Sequence, residues 1–261
     1  MVARRRKRKP RELLASHQRC WIWGRNVVLE TLRSGKWPIR ELHLAESLPA
    51  RERAEAQRAC HAAHVSSFIE PAAVLERLCR SAEHQGYVAK MPPYPYDDAQ
   101  RLLMHPPAGP LYAILDRVHD PHNFGAIIRS AEGLAVDAVF VAETGQAEVN
   151  SLVARSSAGA VNHVRIARVP SLPDLVGRLK ESGVRTYAAD ARADTTVFHC
   201  DLTQPTAIVI GNEAVGIDDE ILRMCDRRIC IPRHGRVESL NAAVSAGILF
   251  YEALRQRQPR R

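Results

Sequence analysis

Between residues 111 and 232 six short apolar runs recur: LYAILD, AVDAVFVAE, HVRIARV, RTYAAD, TAIVIG and RRICIP. Helical patterns separate most of them. A near-continuous apolar run marks a strand buried on both faces, and intervening helices supply the crossovers that parallel pairing needs. This half of the chain is therefore expected to be an α/β domain with a parallel sheet and flanking helices. In such sheets ligands bind beyond the carboxyl ends of the strands. That rule points to the segments after LYAILD, TAIVIG and RRICIP.

The first part of the chain alternates differently. GRNVVLETLRSG has a short helical pattern ended by Gly35, and IRELHLAE alternates like a strand. The run 49–63 is helical, HVSSFIE extended, AAVLERLCRSAE helical and GYVAKM extended, which describes a small α/β domain. Between the halves, MPPYPYDDAQRLLMHPPAGP holds six of the sixteen prolines. Proline denies both ladder donors and helix continuation, so the stretch is expected to be a semi-rigid linker. The expected division is a basic tail at 1–22, a first domain at 23–91, the linker at 92–110, a second domain at 111–254 and a basic tail at 255–261. At 261 residues, 46% hydrophobic, the chain can build real cores.

The net charge of +8 is unevenly placed. Residues 1–11 carry +7 without an acid and residues 255–261 carry +4, so the body between them stands at −3. Two cationic tails suit arms that contact a polyanion better than a uniformly basic fold would. No apolar stretch approaches the roughly 20 residues of a membrane span. The RRRKRK start lacks a signal-peptide core. The six cysteines form no C-x-x-C pair. Reduced thiols in a cytoplasmic protein, with neither disulfide framework nor metal site, are the expectation.

Three segments carry chemistry. In LDRVHDPHNFGAIIRSAEG, Asp120 or Pro121 can open a helix, Asn123 precedes its body, and Arg129 follows two isoleucines. Its guanidinium must emerge at an edge or find an anion. In GNEAVGI, a glycine turn offers Glu213 and no lysine or arginine, which disfavours a phosphate ligand and would suit a cationic one. In ICIPRHGRVESLNAAVSAGILFYEALRQR, Ser239 or Asn241 can cap the last helix. Leu240, Val244, Gly247, Ile248 and Tyr251 recur at helical spacing and are expected to form its packing face.

In this order the segments resemble the SpoU branch of the SPOUT RNA methyltransferases: D-P-x-N-x-G-x-x-x-R, G-N-E-x-x-G, then I-P and S-L-N with Tyr251-Glu252 behind them. RSSAGAVNH at 155–163 is similar to the family's S-x-G-A segment, and GRNVVLETLRSG with HQGYVAKM resembles the small substrate-binding domain of its rRNA-methylating members. The resemblance runs from about residue 23 to 254.

The resemblance implies a deep trefoil knot in the second domain and S-adenosylmethionine as cofactor, whose sulfonium cation fits a turn without lysine. It maps cofactor contacts onto Gly211, Gly216, Ile231 and Leu240, and a catalytic set onto Asn123, Arg129, Glu213, Ser239 and Asn241. The implied reaction methylates a ribose 2′-hydroxyl, whose proton must be removed or whose alkoxide must be stabilised. Arginine is a poor proton acceptor. Arg129 is therefore expected to hold phosphate and alkoxide as a cation, with the proton relayed by Ser239 or water. The small first domain favours a guanosine of 23S ribosomal RNA. The alternatives are a transfer-RNA ribose methyltransferase and a non-catalytic RNA-binding ribosome-assembly factor. A homodimer is implied, with RNA as partner. An oxidoreductase lacks its G-x-G-x-x-G after the first strand.

Overall fold

The computed structural model describes residues 20–236 and 238–258, which divide into two compact units. Of the described residues, one unit comprises 20–95 together with Val149–Asn162, and the other Tyr96–Glu148 and those from His163 to 258. The basic block at 4–11, Arg260 and Arg261 lie outside the described residues.

The first unit begins with strand β1 (Trp21–Trp23), helix α1 (Arg25–Ser34), β2 (Glu41–Ala45) and α2 (Ala50–Ala62). It continues with β3 (Ser66–Glu70), α3 (Ala72–Cys79) and β4 (Tyr87–Lys90). The sheet runs β1-β4-β2-β3, antiparallel except for the parallel β2/β3 pair. Helix α1 stops because Gly35 turns left-handed at φ 66° and returns its N–H to the Thr31 carbonyl. Trp23, Ala45 and Val88 on one sheet face pack against Leu75 and Cys79 of α3. Strand β1, only three residues long, is too short to show an alternation in sequence.

The second unit contains α4 (Ala99–Met104), β5 (Leu111–Leu115), α5 (Pro121–Gly133) and β6 (Ala138–Ala142). After α6 (Ser151–Ser156), which belongs to the first unit, follow β7 (Arg165–Val169), α7 (Leu172–Glu181), β8 (Arg185–Ala189) and β9 (Thr206–Ile210). Then come α8 (Asp219–Met224), β10 (Arg227–Ile229) and α9 (Ala242–Arg257). The strands are ordered β10-β8-β9-β5-β6-β7 and every pair is parallel. Each of the six apolar runs supplies one strand, and β5 and β9 are buried along their whole length. Tyr112, Ile114, Phe140 and Val209 meet Leu172, Leu175, Val176 and Leu179 of α7 in the core on one face.

Four features differ from the reading of the sequence. The proline-rich stretch is only partly linker, because α4 forms within it. The Asp98 carboxylate accepts from the N–H groups of Gln100 and Arg101, and Leu102 and Leu103 pack on the core. Arg255 and Arg257 are not tail residues, since α9 runs through them. Arg257 donates to the carbonyls of Leu202, Gly109, Pro110 and Gln204, and burial pushes its guanidinium below the usual range. Segment 149–162 lies with the first unit although its sequence falls between β6 and β7. The predicted packing stripe of α9 is open within the chain: Val244, Ile248 and Tyr251 are exposed, and the helix buries Ala246, Leu249, Phe250 and Ala253 instead.

Candidate active site

Strands β5 and β9 are neighbours, yet after β5 the chain builds one side of the sheet and before β9 it has built the other. Loops leaving such a switch point diverge and open a crevice at the carboxyl ends of the strands. A cavity of about 510 Å³ lies beyond the carboxyl ends of β9 and of the two strands on its other side, β8 and β10, and is bounded by the start of α9. Gly211, Gly216, Ile231 and Leu240 line it, as do Glu213 and Ser239. Ala189, Ile210, Ile217, Ile229 and Leu249 add apolar wall.

The glycine turn is held closed by its own backbone. The N–H of Asn212 donates to the Gly216 carbonyl at 3.1 Å, and the Gly216 N–H to the Asn212 carbonyl at 2.9 Å. The Asn212 side-chain oxygen accepts from Ala214 and Val215 at 2.8 and 3.1 Å, and its amide donates to the Arg117 carbonyl at 2.8 Å. Gly216 takes φ 73°, where a side chain is disfavoured. Gly211 is glycine for a different reason: a Cβ there would stand 2.5 Å from Gly216 C and Ile217 N. The turn is packed so tightly that only backbone fits at its neck.

That turn carries Glu213 to the other two loops. Asn123 Nδ2 donates to Glu213 Oε1 at 2.5 Å, and Asn241 Nδ2 donates to Asn123 Oδ1 at 3.0 Å. Three segments separated by about ninety to thirty residues of sequence thus share one side-chain chain. Helix caps aim it. The Asp120 carboxylate accepts from His122 and Asn123 N–H with Pro121 in the first turn, which starts α5. Asn241, not Ser239, caps α9, its oxygen accepting from Ala243 and Val244 N–H. Ser239 stays at the cavity, exposed. Arg129 is outside this chain: it is exposed on α5, and its side chain makes no hydrogen bond or ion pair among the described residues.

Several supporting residues escaped the sequence reading. Asp116, 4% exposed, accepts from the Asp218 N–H at 2.7 Å and from Arg117 Nε and Nη2 at 3.0 Å each. The carboxylate pushes the Arg117 guanidinium above its ordinary range. The pair ties the end of β5 to the chain leaving the glycine turn. Asp190 and Arg192, just after β8, also line the cavity, and Arg233 bonds the carbonyls of Ala191 and Glu238. The rule that flagged the ends of β5, β9 and β10 applies equally to β8, so RTYAAD held the missing signal.

Comparison with known proteins gives the family of the fold that carries this site. Residues 110–251 match the model of the SpoU rRNA Methylase family, and residues 21–97 match that for RNA 2'-O ribose methyltransferase substrate binding. A Bacillus subtilis protein named for the TrmH family of tRNA/rRNA methyltransferases, YacO, is 32% identical over 94% of this chain and 98% of its own. The SpoU methyltransferase AviRb of Streptomyces viridochromogenes, solved in complex with AdoMet, superposes with TM-score 0.76 at 29% identity, over 91% of this chain and 90% of that one. An rRNA methyltransferase of Sinorhizobium meliloti, also AdoMet-bound, gives TM-score 0.80 at 25% identity over 94% and 90%. The A. aeolicus TrmH/SpoU tRNA modifying enzyme gives TM-score 0.53 at 31% identity and covers 60% of this chain and 81% of its own. With over half of its length matched by the family model and a relative 32% identical over 94% of it, this chain belongs to the SpoU rRNA methylase family.

Proposed function

We propose that the protein transfers a methyl group from S-adenosylmethionine to a ribose 2′-hydroxyl of RNA, at a guanosine of 23S ribosomal RNA. The observation that carries this reading is the Asn241–Asn123–Glu213 chain at the rim of the glycine-walled cavity. The cavity suits the cofactor: about 510 Å³ falls within the range of small-molecule sites, and the neck at Gly211 leaves backbone where a side chain would intrude. Gly211, Gly216, Ile231 and Leu240 would hold it. Bound there, S-adenosylmethionine supplies a methyl group on a sulfonium cation.

The chain's own residues then divide the work. Asn123 and Asn241 orient the ribose and keep the three loops in register. Glu213 ties the glycine turn to α5 and keeps a negative edge at the cavity. Arg129, a fixed cation, holds the phosphate and the developing alkoxide, and Ser239 or water relays the proton. The open stripe of Val244, Ile248 and Tyr251 on α9 supports a homodimer in which a second copy covers that face. Its RNA substrate puts the proposed location in the cytoplasm. Among the described residues no helix is long and apolar enough to cross a membrane.

Ribosomal over transfer RNA is favoured by coverage. The S. meliloti rRNA methyltransferase aligns with 94% of the chain, whereas the A. aeolicus tRNA modifying enzyme aligns with 60%. The first unit is the candidate for selecting the substrate. The test is labelled methyl transfer from S-adenosylmethionine to purified ribosomal and transfer RNA. Arg129→Ala should abolish transfer while cofactor affinity stays within about twofold, as for a surface substitution. Arg129→Lys should fail as well, since a point charge does not replace a bidentate fork. Loss of cofactor affinity together with activity would make Arg129 structural, and transfer to tRNA alone would overturn the ribosomal assignment.

A further inference from the structure

On one face of the first unit's sheet three rings follow one another from β1 to β3. Trp21 and His43 have centroids 5.7 Å apart, and His43 stacks on Phe68 at 5.1 Å with 23° between planes. His43 is buried between its neighbours, and both of its ring nitrogens lack a hydrogen-bond partner. Its Nδ1 lies 3.9 Å from Glu70 Oε1, and its Nε2 lies 3.6 Å from Glu41 Oε2. Phe68, at the end of the row, is 43% exposed. Among the described residues strand β3 pairs with β2 alone and is the sheet edge, so no further strand continues the row past Phe68. Residues two apart on a strand share a face. Ser66 and Glu70 therefore flank Phe68, and the register sets Glu41 opposite Ser66 and His43 opposite Phe68.

We propose that Phe68 and Glu70 form a docking position for one unpaired guanine of the RNA substrate, a position that rests on the methyl-transfer reading above. The base would extend the stack by one more ring beyond the edge strand and turn its Watson–Crick edge to the Glu70 carboxylate. Unpaired bases are recognised in this way, by stacking on aromatic rings and hydrogen bonding at their edges. The carboxylate selects the base. Guanine presents two adjacent donors, N1–H and the N2 amino group, which match two carboxylate oxygens. Adenine and cytosine offer a single amino donor beside an acceptor nitrogen, and uracil a single N–H between two carbonyls. Glu41 and Glu70 also repel phosphate, so the contact reads a base and leaves the backbone to other surfaces. A protein partner is the weaker fit, because the exposed apolar surface on this face is one ring bordered by serine and carboxylates.

The test uses the full chain and two probes, an oligouridylate nonamer with one central guanosine and the same nonamer with a central inosine, which lacks the N2 amino group. The wild type should bind the guanosine nonamer more tightly than the inosine one. Phe68→Ala should weaken the guanosine nonamer about 5- to 140-fold, the range of one lost stacked base. Phe68→Trp should restore binding, and an unchanged melting temperature in each variant would confirm intact folding. Glu70→Gln should erase the preference for guanosine over inosine. In methyl transfer, Phe68→Ala should raise KM for RNA and leave kcat. If Phe68→Ala binds and methylates as the wild type does, the docking position is wrong while the enzymatic reading stands. If the wild type methylates no RNA and binds no S-adenosylmethionine, the enzymatic reading itself fails. Equal binding of both nonamers by the wild type would overturn the guanine assignment, as would a defect of Phe68→Ala confined to a protein complex.

Discussion

At Gly211 one added carbon decides whether the glycine turn can close. A Cβ would sit 2.5 Å from Gly216 C and Ile217 N, both backbone atoms that cannot swing aside like a flexible side chain. Gly211→Ala should therefore cost about 1–3 kcal/mol of stability, the usual price of forced overpacking. Its larger effect should be on S-adenosylmethionine, because the displaced segment 216–217 is cavity wall. Isothermal titration should give at least about tenfold weaker binding, from roughly 1.4 kcal/mol of that cost. Binding at wild-type affinity would show that the turn has room to relax. Glycine at this position was readable in the sequence as part of a turn. The close approach that demands it was not, since the clashing atoms belong to residues five and six positions on.

Helix α9 starts at a residue with two duties. The oxygen of Asn241 caps the helix, and its amide holds Asn123. Two substitutions separate the duties. Asn241→Ala removes both and should lower stability by about 1 kcal/mol, as for a lost cap. Asn241→Asp keeps a capping oxygen and suits the helix dipole, but it cannot donate to Asn123. Its melting temperature should match the wild type while kcat falls at least about fivefold, the worth of one hydrogen bond of about 1 kcal/mol. Equal kcat in Asn241→Asp would reduce the residue to a cap. The helix also shows how periodicity misleads. Val244, Ile248 and Tyr251 recur at helical spacing, yet α9 faces its own chain with Ala246, Leu249, Phe250 and Ala253. A stripe marks a face that wants cover without saying which surface covers it.

For the whole molecule, the first unit is not a detachable N-terminal module, because it includes residues 149–162. Asn162 Nδ2 donates to Thr31 Oγ1 at 3.0 Å, and the Tyr94 hydroxyl donates to the Val161 carbonyl at 2.6 Å. The Arg155 guanidinium lies 5.3 Å over the Trp23 ring and bonds Glu83. Helix α6 packs on β1, burying Val153. Deleting residues 1–95 would strip these partners away and expose Val153 and Val161, a loss of about 1.5–3 kcal/mol for each side chain fully uncovered. The truncated protein should melt well below the full chain and aggregate during size-exclusion chromatography. A truncated protein with the full chain's melting temperature would show that 149–162 is held by the second unit instead.

The sequence by itself determined what local chemistry can encode. Six buried strands followed from apolar runs, helix starts from Asp120 or Pro121 and from Ser239 or Asn241, a helix stop from Gly35, and the three loop segments from their polar residues in apolar surroundings. These properties depend on neighbours a few positions away. The tertiary structure decided which loops meet, that Asn123 lies between Glu213 and Asn241, and that Asp116 braces the glycine turn through the Asp218 N–H. It also decided that segment 149–162 joins the first unit and that Arg257 is half-buried against four carbonyls rather than part of a tail. Those outcomes depend on contacts between residues as much as 148 positions apart, as in Arg257 to Gly109. Hydrophobic pattern and capping are short-range terms, whereas pairing across such distances is settled only when the whole core closes.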